Sequence, residues 1–326
     1  MILIALLAAF SFAVTFLAVP VLMRKFKDAG LTGKDVHKPG KPEIPEMGGL
    51  AVVAGLVAGV LVAIAAMTLA KHGMANIGFL SSGSLIDLFA ALATILIIAI
   101  IGMFDGIVRL RHSIKAVLPL FASIPLVAVA AGHPYITLPV VGQLYLPVIY
   151  PLLLIPLAVT VVPNLTNMFA GFNGLEAGLG IIGCLSLGMV ALSKGSLDAA
   201  VLLLCMVGAL SAFIWFNKYP ARIFIGDVGT LSIGACIVSA VIIGNFEMAG
   251  VIVMIPYLVD FVIKAKNKFP REIDFTSLKG GKLVASRSVG LPSLIMRKTG
   301  GISEVRLVML LLGFETMCGA AAVLAF

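Results

Sequence analysis

The chain has 326 residues, 61% of them hydrophobic and only 12% charged, about half the charged share of an ordinary soluble domain. A mean hydropathy of +1.16 excludes a water-soluble globule, because no such fold hides that much apolar surface, and it makes lipid the solvent. The formal charge of +8 does not point to nucleic acid, since the cations gather beside apolar runs, where anionic lipid headgroups account for most of them.

Apolar runs predict an all-α polytopic membrane protein with about ten transmembrane helices, over residues 1–23, 48–70, 86–104, 116–132, 147–163, 177–193, 198–215, 228–244, 248–264 and 304–325. The first run has no basic residue before it and Arg24, Lys25 and Lys27 after it, so it reads as a retained helix with its N-terminus outside rather than a signal peptide. The inside segments are then 24–47, 105–115, 164–176, 216–227 and 265–303. Of the 23 Lys and Arg, 21 fall in those segments or at the inside ends of adjoining spans, leaving only Lys71 and Lys194 outside. That asymmetry follows the positive-inside rule and puts both termini outside a single integral membrane domain.

Five inside loops carry the polar chemistry. The first, from Asp35 to Gly49, holds Lys38 and Glu46 and ends in paired glycines that permit close backbone approach to a ligand. A solvated basic loop is the plainer reading of it taken alone. The second places Asp105 at a helix end and follows it with Arg109, Arg111 and Lys115, cations able to offset charge on phosphates. The third, 164–178, has no basic residue but carries Asn164, Asn167, Asn173 and Glu176. Amides beside a bilayer cost free energy unless they bind something, and their carbonyls are oxygen ligands of the kind Mg²⁺ accepts.

The fourth loop brings Phe224 and Asp227 to the start of the eighth span, where Asp227 could equally be a helix cap. The fifth, 265–303, is the most basic, and Arg271 stands out behind Phe269 and Pro270. The outside segment 133–146 alternates β-favouring residues around Val141 and Gly142 and predicts a short external hairpin. Cys184, Cys205, Cys236 and Cys318 all lie in apolar spans without CxxC spacing and read as packing residues. Two carboxylates inside spans, Asp260 and Glu315, motivate a rival reading as an ion-coupled transporter. Against it, most polar residues gather at one face. Gly- and Ala-rich spans such as 48–70 permit close helix contact and are compatible with a homodimer.

Together the loops offer two candidate metal carboxylates, amides, cations and an aromatic ring on one face, the set that nucleotide-sugar chemistry needs. Pro45-Glu-Met-Gly-Gly49, Gly102-x-x-Asp105, the run from Asn164 to Gly178 and Phe224-x-Gly-Asp227 resemble, in order and along nearly the whole chain, the polyprenyl-phosphate N-acetylhexosamine-1-phosphate transferases. Bacterial members of that family carry a histidine-rich motif in the last inside loop. Here the histidines are His37, His72, His112 and His133, and Phe269 to Ile273 is more similar to the archaeal and eukaryotic branch, which makes GlcNAc-diphosphodolichol for N-glycosylation.

The resemblance implies that Asn167 and Asp227 ligate Mg²⁺, or Mn²⁺ in its place, and that Asn173 and Phe224 hold the uracil of a UDP-N-acetylhexosamine. It implies that Lys115 and Arg271 meet the diphosphate and that Asp105 positions or deprotonates the polyprenyl or dolichyl phosphate acceptor, with Lys38, Glu46 and Arg111 completing the substrate-binding set. Two positions depart from the family pattern: the second acid of an Asp-Asp pair is Gly106, and a glutamine after Glu-Ala-Gly is Leu179. The second acid is then either dispensable or its loss reduces activity, and an essentially ionised lipid phosphate, which needs no strong base, favours the first. A catalytically idle relative is the other reading of Gly106.

Overall fold

The computed structural model of the chain describes residues 2–72, 84–108, 111–138, 142–270 and 272–326. The helices are α1 (Ile2–Asp28), α2 (Gly49–Lys71), α3 (Leu85–Val108), α4 (His112–Ala122), α5 (Ile124–Ala128), α6 (Ile155–Met168) and α7 (Leu175–Ser193). They continue with α8 (Leu197–Asn217), α9 (Gly226–Gly244), α10 (Glu247–Val253), α11 (Ile255–Lys266), α12 (Leu291–Lys298) and α13 (Glu304–Ala325). A π-turn, Tyr150–Leu154, leads into α6. Among the described residues eight helices, α6 counted with that turn, are long and apolar enough to cross a membrane, and the bent pair α10–α11 raises this to as many as nine. The chain is an integral membrane protein.

Two of the ten expected spans are not single helices. The run over 116–132 forms α4 and α5, divided at Ser123, and the run over 248–264 forms α10 and α11, bent by 60° at Met254. Proline accounts for both breaks. Pro125 and Pro256 have no N–H to continue the preceding helix and sit instead in the first turn of the next one, the helical position they tolerate best.

Among the described residues three antiparallel hairpins qualify the all-α expectation: β1 (Thr32–Lys34) with β2 (Glu43–Pro45), β3 (Tyr135–Leu138) with β4 (Gly142–Tyr145), and β5 (Thr276–Lys279) with β6 (Lys282–Ala285). The second is the hairpin expected over 133–146. All four cysteines are buried and free, as packing residues should be.

The bundle has two poles. Asp105 at the end of α3, Asn167 at the end of α6 and Asp227 at the start of α9 meet at one of them, which we call the site pole. The β3–β4 hairpin lies at the other, where His133 N–H bonds Asn245, just beyond the end of α9. Since α4 starts beside the site with Lys115, the α4–α5 pair runs between the poles. The start of α1 and the end of α13 lie at the pole away from the site, with Phe326 beneath the ammonium of Lys194 at the end of α7.

Helix α9 is the central element, enclosed over almost its whole length by α2, α3, α6 and α8. Its first turns allow no side chains on the neighbours they cross. A Cβ on Gly49 would lie 2.3 Å from the Gly229 backbone, and one on Gly102 would lie 2.7 Å from the Asp227 carbonyl oxygen. Small residues thus let α2 and α3 close on α9 at the turn that carries Asp227.

Candidate functional site

A cavity of about 1070 Å³ opens at the site pole, at the upper end of the range for small-molecule sites. Its walls come from all of the loops singled out in the sequence: Glu46 from the first, Lys115 from the second, Asn167 and Asn173 from the third, Phe224 and Asp227 from the fourth, and Phe269, Pro270 and Glu272 from the fifth. One flank is apolar, with Val161, Leu165 and Phe261 from α6 and α11.

Backbone pairing places the aromatic and one of the acids. Phe224 N–H donates to Pro45 O at 2.8 Å, while Gly48 and Gly49 N–H donate to the carbonyls of Phe224 and Ile225, each at 2.8 Å. Glu46 and Phe224 are therefore fixed on adjacent extended segments, and both lie against Gly33 of β1, where a Cβ would come within 3.1 Å of Glu46 and 3.3 Å of the Phe224 ring.

At the floor, the Lys115 ammonium ion-pairs with both Asp105 and Asp227, the latter at 2.9 Å. The two carboxyl groups also lie within hydrogen-bonding reach of each other. Burial works to lower the pKa of Lys115, but the charge of Asp227 and hydrogen bonds to both carboxylates outweigh it, so the ammonium titrates above its ordinary value. Asn167 donates from Nδ2 to Asp227 Oδ1 at 2.7 Å and to Thr230 Oγ1 at 2.8 Å. Both amide hydrogens are thereby used, which leaves the carbonyl oxygen as the group Asn167 can offer a cation.

These donors fit a hard divalent ion. Among the described residues no three of His, Cys, Asp and Glu converge, so such an ion would rest on the carboxylates, the Asn167 carbonyl and phosphate oxygens of a substrate, the mixed set that Mg²⁺ accepts. An ammonium held between two carboxylates shows that the floor is built around positive charge.

The remaining residues singled out in the sequence have other settings. Asn173 is 5% exposed. Its Nδ2 donates to Asp35 Oδ2 at 3.2 Å, its Oδ1 accepts Ala221 N–H at 2.8 Å, and its own N–H donates to Glu304 Oε1 at 2.7 Å. It lines the cavity as the hub joining the first, third and fourth loops to α13. Lys38 is outside that lining: its ammonium pairs with Glu304 and with Asp35 at 3.3 Å and lies 4.3 Å from the centre of the Tyr219 ring. It borders a separate cavity of about 580 Å³ between the first loop and β5.

Arg111 is exposed at the start of α4, away from the lining. Arg271 lies outside the described residues, although its neighbours Pro270 and Glu272 line the cavity. Asp260 and Glu315 do not share a path. Asp260 pairs with Lys264 at 2.7 Å and accepts the Leu291 N–H, while Glu315 is fully buried beside Gly183 with no hydrogen bond to either oxygen.

Thr230, His37 and Lys264 are among the lining residues that were not anticipated. Thr230 stands one turn after Asp227 on the same face of α9 and holds the Asn167 amide, a position that i, i+3 spacing would have supplied. His37 stacks on Phe172 with ring centres 4.8 Å apart, and its Nε2 is buried without a hydrogen-bond partner. Burial is the main cause of its lowered pKa, opposed by the charge of Asp35, so the ring is neutral at pH 7. Lys264, the third, bonds the end of α6.

Residues 88–245 match the sequence profile of glycosyl transferase family 4. A Saccharolobus solfataricus protein provisionally named UDP-N-acetylglucosamine–dolichyl-phosphate N-acetylglucosaminephosphotransferase is 33% identical over 96% of this chain and 94% of its own length. A Dictyostelium discoideum protein bearing that name outright is 27% identical over 93% of this chain and 83% of its own. A Streptococcus equi phospho-N-acetylmuramoyl-pentapeptide-transferase is 29% identical over 77% of this chain and 76% of its own. With this similarity spanning both its helices and its site loops, the chain belongs to glycosyl transferase family 4.

Proposed function

We propose that this protein transfers N-acetylglucosamine 1-phosphate from UDP-N-acetylglucosamine to dolichyl or another polyprenyl phosphate, releasing UMP as the first step of a lipid-linked glycan. The observation that carries this reading is the Lys115 ammonium held between Asp105 and Asp227 beside Asn167, at the floor of a cavity with one polar and one apolar flank. A nucleotide sugar and a lipid phosphate need that pairing of surfaces. The names of the high-coverage relatives in Saccharolobus and Dictyostelium support the same donor and acceptor.

In this mechanism Phe224 stacks on the uracil, and Asn173 fixes the loops around it through Asp35, Ala221 and Glu304. Lys115 lies where it can balance the diphosphate, and Asp105 orients the acceptor by holding that ammonium in place. Asn167 and Asp227 are the residues that would hold Mg²⁺. When bound, the ion supplies charge that offsets the phosphates. An oxygen of the lipid phosphate attacks the β-phosphorus of the donor, the bond from that phosphorus to the bridging oxygen breaks, and UMP leaves with the bridging oxygen. The acceptor is already ionised at neutral pH, so no acid at position 106 is needed to take a proton.

The charge asymmetry of the sequence, with 21 of 23 Lys and Arg in the expected inside segments or at the inside ends of adjoining spans, supports a cytoplasmic site and both termini outside. The α4–α5 pair is about 25 Å long if fully helical, close to the roughly 30 Å of a hydrocarbon core. Counting it and α10–α11 as crossings restores ten passes. Purified protein in detergent, given UDP-N-acetylglucosamine, a polyprenyl phosphate and Mg²⁺, should release UMP only when both lipid and metal are present. Release without lipid, or none under any of these conditions, would refute the reading.

A further inference from the structure

The ammonium of Lys264, at the last turn of α11, is nearly enclosed and faces three elements at once. It donates to the carbonyl oxygen of Met168, the final residue of α6, at 2.5 Å. It also pairs with Asp260 Oδ2 at 2.7 Å and lies 3.8 Å from Glu272 Oε2. The second oxygens of both carboxylates are engaged with the start of α12: Leu291 N–H donates to Asp260 Oδ1 at 2.8 Å, and Ser293 N–H donates to Glu272 Oε1 at 2.7 Å.

Gly290 lets these groups approach, since a Cβ there would lie 2.8 Å from an oxygen of each carboxylate. The contacts suit the polarity of the elements, with anions at the N-terminus of α12 and a cation at the C-terminus of α6. Burial raises the pKa of Glu272, and the charge of Lys264 opposes that rise. A buried cluster of this kind is costly to break, because removing one member leaves the others charged and unpaired.

Its place gives the cluster a consequence. Met168 directly follows Asn167, which bonds Asp227 at the cavity floor. Glu272 belongs to the adjoining wall, which continues with Pro270 and Phe269. We propose that Lys264 is a positioning residue that ties the Asn167 end of α6 to the last inside loop, fixing how two adjoining walls of the cavity that holds the donor meet. The functional half of this inference rests on the transferase reading above; the structural half does not.

The test compares full-length wild type, Lys264→Met and Lys264→Arg in detergent by hydrogen–deuterium exchange and by UMP release. Lys264→Met should raise exchange about tenfold both in residues 164–170 and in residues 289–295. It should also lower kcat about tenfold or more with KM for the donor changed less, the pattern of lost alignment rather than lost binding. Lys264→Arg keeps the charge for Asp260 and Glu272 and should restore protection at 289–295 with part of the turnover.

Exchange that rises at 289–295 alone in Lys264→Met, or wild-type turnover in that variant, would overturn the proposal. If Lys264→Met does not fold, Lys264→Gln decides: its shorter, uncharged head does not reach the Met168 carbonyl, so wild-type protection at 164–170 would refute the tie. If the wild type itself releases no UMP, the transferase reading falls while the exchange data still judge the tie on their own.

Discussion

At the scale of single residues, the floor of the cavity depends on charges that balance one another, so substitutions should act sharply and in different ways. Asp227 both pairs with Lys115 and accepts from Asn167. Asp227→Ala should abolish metal-dependent UMP release, and retention of even a tenth of the wild-type rate would remove Asp227 from the role of ligand. Lys115→Met leaves Asp105 and Asp227 facing each other without their shared cation. It should cost about 10²–10³ in kcat, the scale seen when a preorganised charge is taken from a transition state, and a steady-state assay of that variant checks it.

His37 supplies a pH prediction. Its folded pKa lies below the ordinary value of 6.5, so between the two values the unfolded chain binds the extra proton. Its contribution to stability is therefore complete above 6.5 and is lost as pH falls through the folded pKa. Thermal melts at pH 7.5 and 5.5 should show wild type losing more stability on acidification than His37→Gln. Equal losses would contradict this assignment.

At the scale of elements, the glycines make the difference between tolerance and collapse. A Cβ on Gly106 would first meet the Met47 side chain, no closer than 3.7 Å, whereas one on Gly102 would press into the Asp227 backbone at 2.7 Å. Gly106→Ala should fold and turn over like wild type, gaining up to about 1 kcal/mol in helix propensity. Gly102→Ala should lose both thermal stability and activity, because it pushes α3 off the turn that carries Asp227. Comparable melting temperatures for the two variants would refute the packing argument.

This contrast also explains what the sequence could disclose. Long apolar runs reveal eight of the helices because one property, hydrophobicity over about 20 residues, decides them. The breaks at Ser123 and Met254 depend on where a proline falls relative to a pole, which hydropathy averages away. The β5–β6 hairpin was signalled by Gly280-Gly281 between alternating residues, but that signal was submerged in a loop noted mainly for its charge. The loop motifs disclosed which residues gather in the cavity. They could not disclose that Asn173 is fully engaged by the protein or that Lys38 faces Glu304, since those partners lie on other elements, Ala221 48 positions from Asn173 and Asp35 and Glu304 more than 100.

At the scale of the whole molecule, the fold gathers the polar loops at one pole, and among the described residues the other pole holds a hairpin, short turns and the outer ends of α1 and α13. That arrangement suits an enzyme that takes one substrate from water and the other from the bilayer, and the apolar flank of the cavity between α6 and α11 supplies a route for the second. Its sidedness can be read in sealed vesicles of known orientation. A cysteine introduced at Lys41 of the first loop should react with an impermeant maleimide only from the cytoplasmic face, and one at Gln143 of the β3–β4 hairpin only from the other. Labelling of both from one face would contradict the topology.

The central claim is that the donor's β-phosphorus, and not merely its sugar, moves to the lipid. UDP-N-acetylglucosamine carrying ³²P at the β-position tests it directly, with wild-type protein, polyprenyl phosphate and Mg²⁺. The account predicts that the label passes into the organic phase as a lipid diphosphate while the nucleotide released is unlabelled UMP. Label that stays in the aqueous phase as UDP would show that only the sugar had been transferred and would contradict the account.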